Sequence, residues 1–140
     1  MIQEYIHKVQ YYETNKMGVT HHSNYIRFME EARVDFMDQI GYGYDRMESE
    51  GVCSPVINIE CDFKKSTTYA DVIKVSVKVI EISQIRIKFE YVMRVEDEIV
   101  FRGTSSHCCL NKDGKIISLK REKTEVYELF LSFLETDEKL

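Results

Sequence analysis

From residue 72 to residue 95 the chain alternates apolar and polar side chains almost without a break, and this constrains the fold more than any other stretch. Ile73, Val75, Val77 and Val79 are interleaved with Lys74, Ser76 and Lys78. Ile85, Ile87, Phe89, Tyr91, Met93 and Val95 are interleaved with Arg86, Lys88, Glu90 and Arg94. Side chains on a strand point to opposite faces in turn, so a period of two predicts two antiparallel strands, 72–82 and 85–95, each with one buried face. Such a sheet needs an apolar layer over one side. The chain offers one long candidate: Tyr25, Phe28, Met29, Ala32, Phe36 and Ile40 recur at helical spacing, while Arg27, Glu30, Arg33 and Asp38 fall elsewhere. Ser23 or Asn24 can cap the start of this helix and Gly41 and Gly43 can end it, which gives roughly 16 residues or ~24 Å.

The remaining elements fit around that pair. Residues 4–12, rich in tyrosine and β-branched side chains, read as a first strand, and a short helical turn over 45–50 is closed by Gly51. A further strand spans 55–65, turns fall at 96–98 and 111–114, and a last helix fits 122–135. The order strand, long helix, four strands predicts an α+β fold, with one antiparallel sheet packed on one apolar helix in a single domain, 1–140. One helix covers only part of such a sheet and leaves its edges open, so a second copy is expected to complete the burial.

Composition removes several functional classes. The chain is 44% hydrophobic and 31% charged, an ordinary balance for a folded domain. Its net charge of −5 argues against a general nucleic-acid binder, which carries a basic face. No apolar run approaches the ~20 residues of a membrane span, and the start, MIQEYIHKVQ, lacks a basic region followed by an apolar core. A cytoplasmic location is the expectation. Cys53, Cys61, Cys108 and Cys109 form no CxxC pair and no metal-ligand spacing, so reduced, mostly buried thiols and no metal site are expected. There is no Gly-rich phosphate loop and no nucleophile elbow.

Chemistry concentrates in YYETNKMGVTHHSNY, residues 11–25, the loop that enters the long helix. A helix N-terminus presents unpaired N–H groups, which suit an anion or a developing oxyanion. His22 stands at that entry, where it can be a general acid/base or a cap-region histidine bonded to nearby backbone; His21 has the weaker claim. Asn15 can donate or accept a hydrogen bond but cannot act as base or nucleophile, and asparagine is equally at home in a turn. Glu30 and Glu31 read as solvated helix carboxylates and His107 as a core or edge histidine. Lys64, Lys65, Arg86 and Lys88 form a modest basic cluster for phosphates, or an ordinary solvated strand face.

The segment YYETNKMGVTHHSNYIRFMEEAR closely resembles the opening motif of the hot-dog-fold acyl-CoA thioesterases, in the 4-hydroxybenzoyl-CoA thioesterase-like group that includes the Tol–Pal-associated enzymes. The matching residues are Tyr12, Thr14, Gly18, Val19, His22, Asn24, Tyr25, Glu31, Ala32 and Arg33. Further on, Tyr69 and Asp71 match a family segment before the third strand, and Gly103, Thr104, His107 and Gly114 a later strand and turn. The resemblance covers nearly the whole chain and implies a hot-dog fold, with a sheet wrapped round one long helix.

It further implies a thioesterase that hydrolyses an acyl-CoA or an acyl-carrier-protein thioester to acid and thiol. Coenzyme A would enter as part of the substrate, with no separate cofactor. The site would lie at the interface of a homodimer or homotetramer, contacting Gly18, Val19 and Tyr25, and a backbone amide of Cys53 or Ser54 would polarise the carbonyl. The family's loop aspartate, its nucleophile or base, is Asn15 here, and a proline before Tyr69 is replaced by Ser66. Three outcomes follow. His22 activates water with Asn15 orienting it; Glu13 or a helix glutamate stands in; or the protein binds acyl thioesters with little turnover. A hydratase on the same fold ranks below these.

Overall fold

The computed structural model of the chain describes residues 1–135; the last five residues of the expected 1–140 domain lie outside the described range. Five strands form one antiparallel sheet. They are β1 (Tyr5–Lys8), β2 (Val56–Phe63), β3 (Val72–Ile82), β4 (Arg86–Val95) and β5 (Glu98–Cys108), in the spatial order β1-β3-β4-β5-β2. The alternation seen in the sequence is realised directly: Ile73, Val75, Val77 and Val79 of β3 and Ile87, Phe89, Tyr91 and Met93 of β4 are buried. The two strands are in register as Val75 opposite Met93 and Val77 opposite Tyr91.

The helix expected over the sheet is α1 (Ser23–Gln39), which buries Tyr25, Phe28, Met29, Ala32, Phe36 and Met37. A short α2 (Tyr44–Ser49) follows. This is the hot-dog α+β architecture, an antiparallel sheet against one long helix. Three expectations need correction. The first strand stops at Lys8, because Tyr11–Glu13 tightens into a 3-10 turn. The C-terminal helix is two pieces, α3 (Leu119–Glu122) and α4 (Thr124–Ser132), broken at Lys123, whose φ of −136° and ψ of 58° are not helical. α4 and the residue that caps its end add cover that the sequence did not promise: Phe130 of α4 and Phe133 just beyond it meet Phe89 and Phe36 edge to face, with ring centroids 6.4 and 6.0 Å apart. Thirdly, Arg33 does not face solvent but is buried in the helix–sheet interface.

The two sheet edges differ. β1 has four residues, whereas β2 has eight and is hydrogen-bonded on one side only, to β5. Val56, Ile57 and Phe63 of β2 are each more than 40% exposed. A long open edge carrying apolar side chains is the kind of surface another strand covers. No helix among the described residues is long and apolar enough to cross a membrane.

Candidate active site

The loop from Thr14 to Thr20 is a miniature hairpin. Thr14 bridges Thr20, the Asn15 N–H donates to Val19 O at 2.9 Å, and the Gly18 N–H donates to Asn15 O at 2.9 Å. Gly18 sits at φ +78°, a conformation that costs glycine little, and no atom lies within 4 Å of where a Cβ would be. The Gly18 carbonyl accepts from the Thr68 hydroxyl at 2.7 Å, and Val19 bridges Thr68, which ties the loop to the approach to β3. Thr20 and Thr67 are bonded to each other beneath it.

Asn15 closes the turn with its side chain: Oδ1 accepts from the Met17 N–H at 2.9 Å. Because the partner is a donor, the oxygen must be the atom on that side, and the NH2 group is turned the other way. Asn15 borders two openings. One is a cavity of about 290 Å³ also lined by Val19, His22, Tyr25, Lys64 and Lys65. The other is a wider groove of about 910 Å³ with Tyr11, Tyr12, Lys16, His21 and Arg27 on its walls.

The two histidines divide the roles the sequence left open. His21, not Ser23 or Asn24, attends the helix start: its Nδ1 accepts from the Ser23 N–H at 3.3 Å and lies 2.9 Å from Ser23 Oγ. His22 occupies the cap position without a side-chain cap bond. Its ring stacks on His21 at 4.3 Å and meets Phe63 edge-on at 6.3 Å, and no hydrogen bond is made by it among the described residues. An exposed imidazole on a cavity wall, with both nitrogens uncommitted, is placed to exchange a proton with a ligand or water.

Glu13 is held away from both openings. It is 5% exposed, and its Oε1 accepts from the Gln10 N–H at 2.7 Å and pairs with His7 Nε2 at 2.8 Å. Its carbonyl accepts from the His21 N–H and from Asn24 Nδ2, so Glu13 braces the base of the loop. Tyr25 contributes a buried ring to the cavity floor, stacked on Phe101 at 5.3 Å, with its hydroxyl taken by Thr67 at 2.9 Å.

The basic residues are not one cluster. Lys64 and Lys65 lie at the His22 end of β2, and they are paired with Asp62 at 2.7 Å and with Glu98, respectively. Arg86 and Lys88 lie at the far end of the sheet, opposite Cys108 and Ser106, whereas Phe63 pairs with Phe101. Five residues of β5 separate these registers, about 16 Å. Strand order, invisible in a period-two pattern, is the reason.

Cys53 and Ser54 lie at that far end as well. Cys53 bridges Leu110 in both directions, its N–H donating at 3.0 Å, so that amide is committed. The Ser54 N–H makes no hydrogen bond among the described residues. Ser54 lines a separate pocket of about 260 Å³ with Tyr44, Met47, Cys53 and Pro55. From Val56 to Phe63 the strand runs about 23 Å, so within one chain Ser54 and the Asn15–His22 pair stand at opposite ends of β2.

Behind Ser54 is a group of buried polar residues that the sequence pattern hid: Arg33, Tyr91, Ser105 and His107. The only signals were a charge on an otherwise apolar helix face and the run TSSHCC. His107 is fully buried, and burial, reinforced by the Arg33 charge, pushes its pKa down to about 4. Burial raises Cys109 to about 11. All four cysteines are free thiols; Cys53 is exposed and Cys108 and Cys109 are buried. No group of His, Cys, Asp and Glu that could hold a metal occurs among the described residues.

The depressed pKa of His107 has a consequence for stability. An unfolded histidine titrates near 6.5, so between about 6.5 and about 4 the unfolded chain binds a proton that the folded one refuses. The stability contributed by the neutral ring is full above pH 6.5 and is lost as the pH falls toward 4. Denaturant midpoints from pH 7.5 to 4.5 should therefore fall more steeply in the parent than in His107→Gln. Equal slopes would refute this.

Residues 9–134 match the family described as the thioesterase-like superfamily. The Bacillus subtilis protein named "Putative acyl-CoA thioesterase YneP" is 32% identical over 108 residues, covering 76% of this chain and 78% of that protein. The crystal structure of a DHNA-CoA thioesterase from Staphylococcus aureus superposes with a TM-score of 0.88 at 32% identity, covering 93% of this chain and 89% of that one. A hypothetical protein from Aquifex aeolicus superposes with a TM-score of 0.83 at 37% identity, covering 89% of this chain and 98% of the other.

Proposed function

The chain belongs to the thioesterase-like superfamily and is a thioester hydrolase of that class, and from this premise we propose that it hydrolyses an acyl-CoA through a site completed by two copies. The observation that carries the proposal is His22, freed from capping by His21 and facing a cavity beside Asn15. The match over residues 9–134 supports treating the chain as one such domain.

Two copies related by a two-fold axis at the β2 edge would pair that strand antiparallel with itself. The start of one β2 then lies against the end of the other. Ser54 of one copy meets Asn15 and His22 of the second, and the lysines at one end meet Arg86 and Lys88 from the partner. The exposed Val56, Ile57 and Phe63 support this pairing.

In the resulting site, His22 takes a proton from water as the water oxygen bonds to the thioester carbon. The carbonyl oxygen gains negative charge and is received by the Ser54 N–H. The tetrahedral intermediate expels the thiolate, which collects the proton from His22, leaving acid and free thiol. Asn15 offers its NH2 group as a donor that orients water or carbonyl; the position lacks a nucleophile. That same lack favours a second reading, a protein that binds acyl-CoA with little turnover.

Release of free thiol from a panel of acyl-CoAs, followed with a thiol-reactive dye, tests the proposal. Turnover above that of His22→Ala supports it, whereas saturable binding with no release supports the second reading. Asn15→Asp sharpens the result. An aspartate can keep the bond from the Met17 N–H with one oxygen and turn the other into the cavity. The expected outcome is a kcat higher than the parent's, and an unchanged kcat means that the loop does not aim this side chain at the thioester.

A further inference from the structure

Arg33 is 6% exposed, and among the described residues its carboxylate contact is a long one, to Glu30, exposed on the same helix at 4.0 Å. Its hydrogen bonds go instead to phenols, from Nε to Tyr44 Oη at 2.8 Å and from Nη1 to Tyr91 Oη at 3.0 Å. The polar contacts continue from Tyr91 Oη to Ser105 Oγ at 2.7 Å, from Ser105 Oγ to His107 Nε2 at 2.8 Å, and from His107 Nδ1 to Ser54 O at 3.5 Å, the long end of such a bond. Tyr91, Ser105 and His107 are fully buried.

The ends of this chain fix its direction. A guanidinium only donates, so Tyr91 accepts from it and gives its single proton to Ser105. Ser105 in turn gives its proton to His107 Nε2. A neutral imidazole that accepts at Nε2 carries its hydrogen on Nδ1, and Nδ1 faces a backbone carbonyl, which can only accept. Every hydrogen bond is satisfied in one sense alone, from Arg33 to Ser54.

Packing does not explain such a chain. Apolar side chains would fill the same volume without taking a guanidinium, an imidazole and two hydroxyls out of water. Its end point suggests another use. The Cys53 peptide is gripped by Leu110 through two hydrogen bonds, and the Ser54 carbonyl is touched by His107. Between these two restraints lies the uncommitted Ser54 N–H.

We propose that His107 is a positioning residue: the donor chain Arg33, Tyr91, Ser105, His107 holds the Ser54 carbonyl, and with the Leu110 bonds to Cys53 fixes the Ser54 backbone between them so that the Ser54 N–H is aimed at the thioester oxygen. This rests on Ser54 being the oxyanion donor of the proposed reaction. It gives the buried polar core a kinetic role.

Two measurements decide it. Long-range ¹⁵N–¹H spectra of histidine-labelled protein report the His107 tautomer whether or not the protein turns over. The hydrogen is expected on Nδ1, and a hydrogen on Nε2 overturns the chain. Kinetics of Ser105→Ala, Tyr91→Phe and the double variant, each removing only hydroxyl oxygen, test the role. Each single change is expected to lower kcat about tenfold with KM for acyl-CoA unchanged. The double variant should lose no more than either single one, since a chain broken once is already broken. Reduced thermal stability with parental kcat overturns the positioning role, and so do multiplied losses in the double variant. If the parent releases no thiol, the hydrolase reading itself falls. The Ser54 amide resonance then decides: displaced in both single variants, the chain holds that peptide; unmoved, it does not.

Discussion

Replacing His22 by alanine should lower kcat by roughly 10²–10⁴-fold, the usual worth of general-base assistance, with KM and the melting transition near the parental values. The size follows from chemistry and the selectivity from structure. With Asn15 presenting an amide and Glu13 buried against His7 and Gln10, the imidazole is the titratable acceptor left on the cavity wall beside the loop. Because the His22 side chain is exposed and makes no hydrogen bond among the described residues, its truncation removes little that holds the fold together, and the backbone bond from the Tyr25 N–H to the His22 carbonyl is kept. Steady-state kinetics with an acyl-CoA substrate provides the check. Full activity in His22→Ala would end the mechanism while leaving the architecture intact.

The second large effect is expected at the other end of β2. Ser54→Pro deletes a backbone N–H and should cost about 10²–10³-fold in kcat, as loss of one oxyanion donor does. Cys53, the residue before it, is already bridged to Leu110 in extended pairing, the conformation a following proline prefers. Ser54→Ala removes the hydroxyl but keeps the N–H, so it should stay within a few fold of the parent. Equal losses in the two variants would assign the effect to the side chain and remove the oxyanion role from this amide.

Some of this was legible in the chain and some could not be. Alternation located β3 over the residues it occupies and β4 to within one residue, because each strand's pattern follows directly from its own pleat. The long helix was equally plain. The early end of β1 was not, since it depends on the Glu13 carboxylate turning inward to His7 and the Gln10 N–H, a choice no local pattern records. Arg33 read as a solvent-facing charge because its partners are phenols 11 and 58 residues away. The loop at 11–25 announced chemistry, but which histidine caps and which is free turned on a ring orientation. Most obscure was the separation of Ser54 from His22 along β2. Sequence order says nothing about which ends of a sheet two loops share, and the proposal of a second copy rests on the strand order.

The proposed shared site can be tested without a structure of the pair. His22→Ala and Ser54→Pro subunits, co-expressed with different tags and purified through both, give a mixed dimer in which one site carries both lesions and the other carries neither. If each site takes Asn15 and His22 from one copy and Ser54 from the other, thiol release from acyl-CoA should return to about half the parent's rate. Activity no greater than that of either variant alone would contradict a shared site.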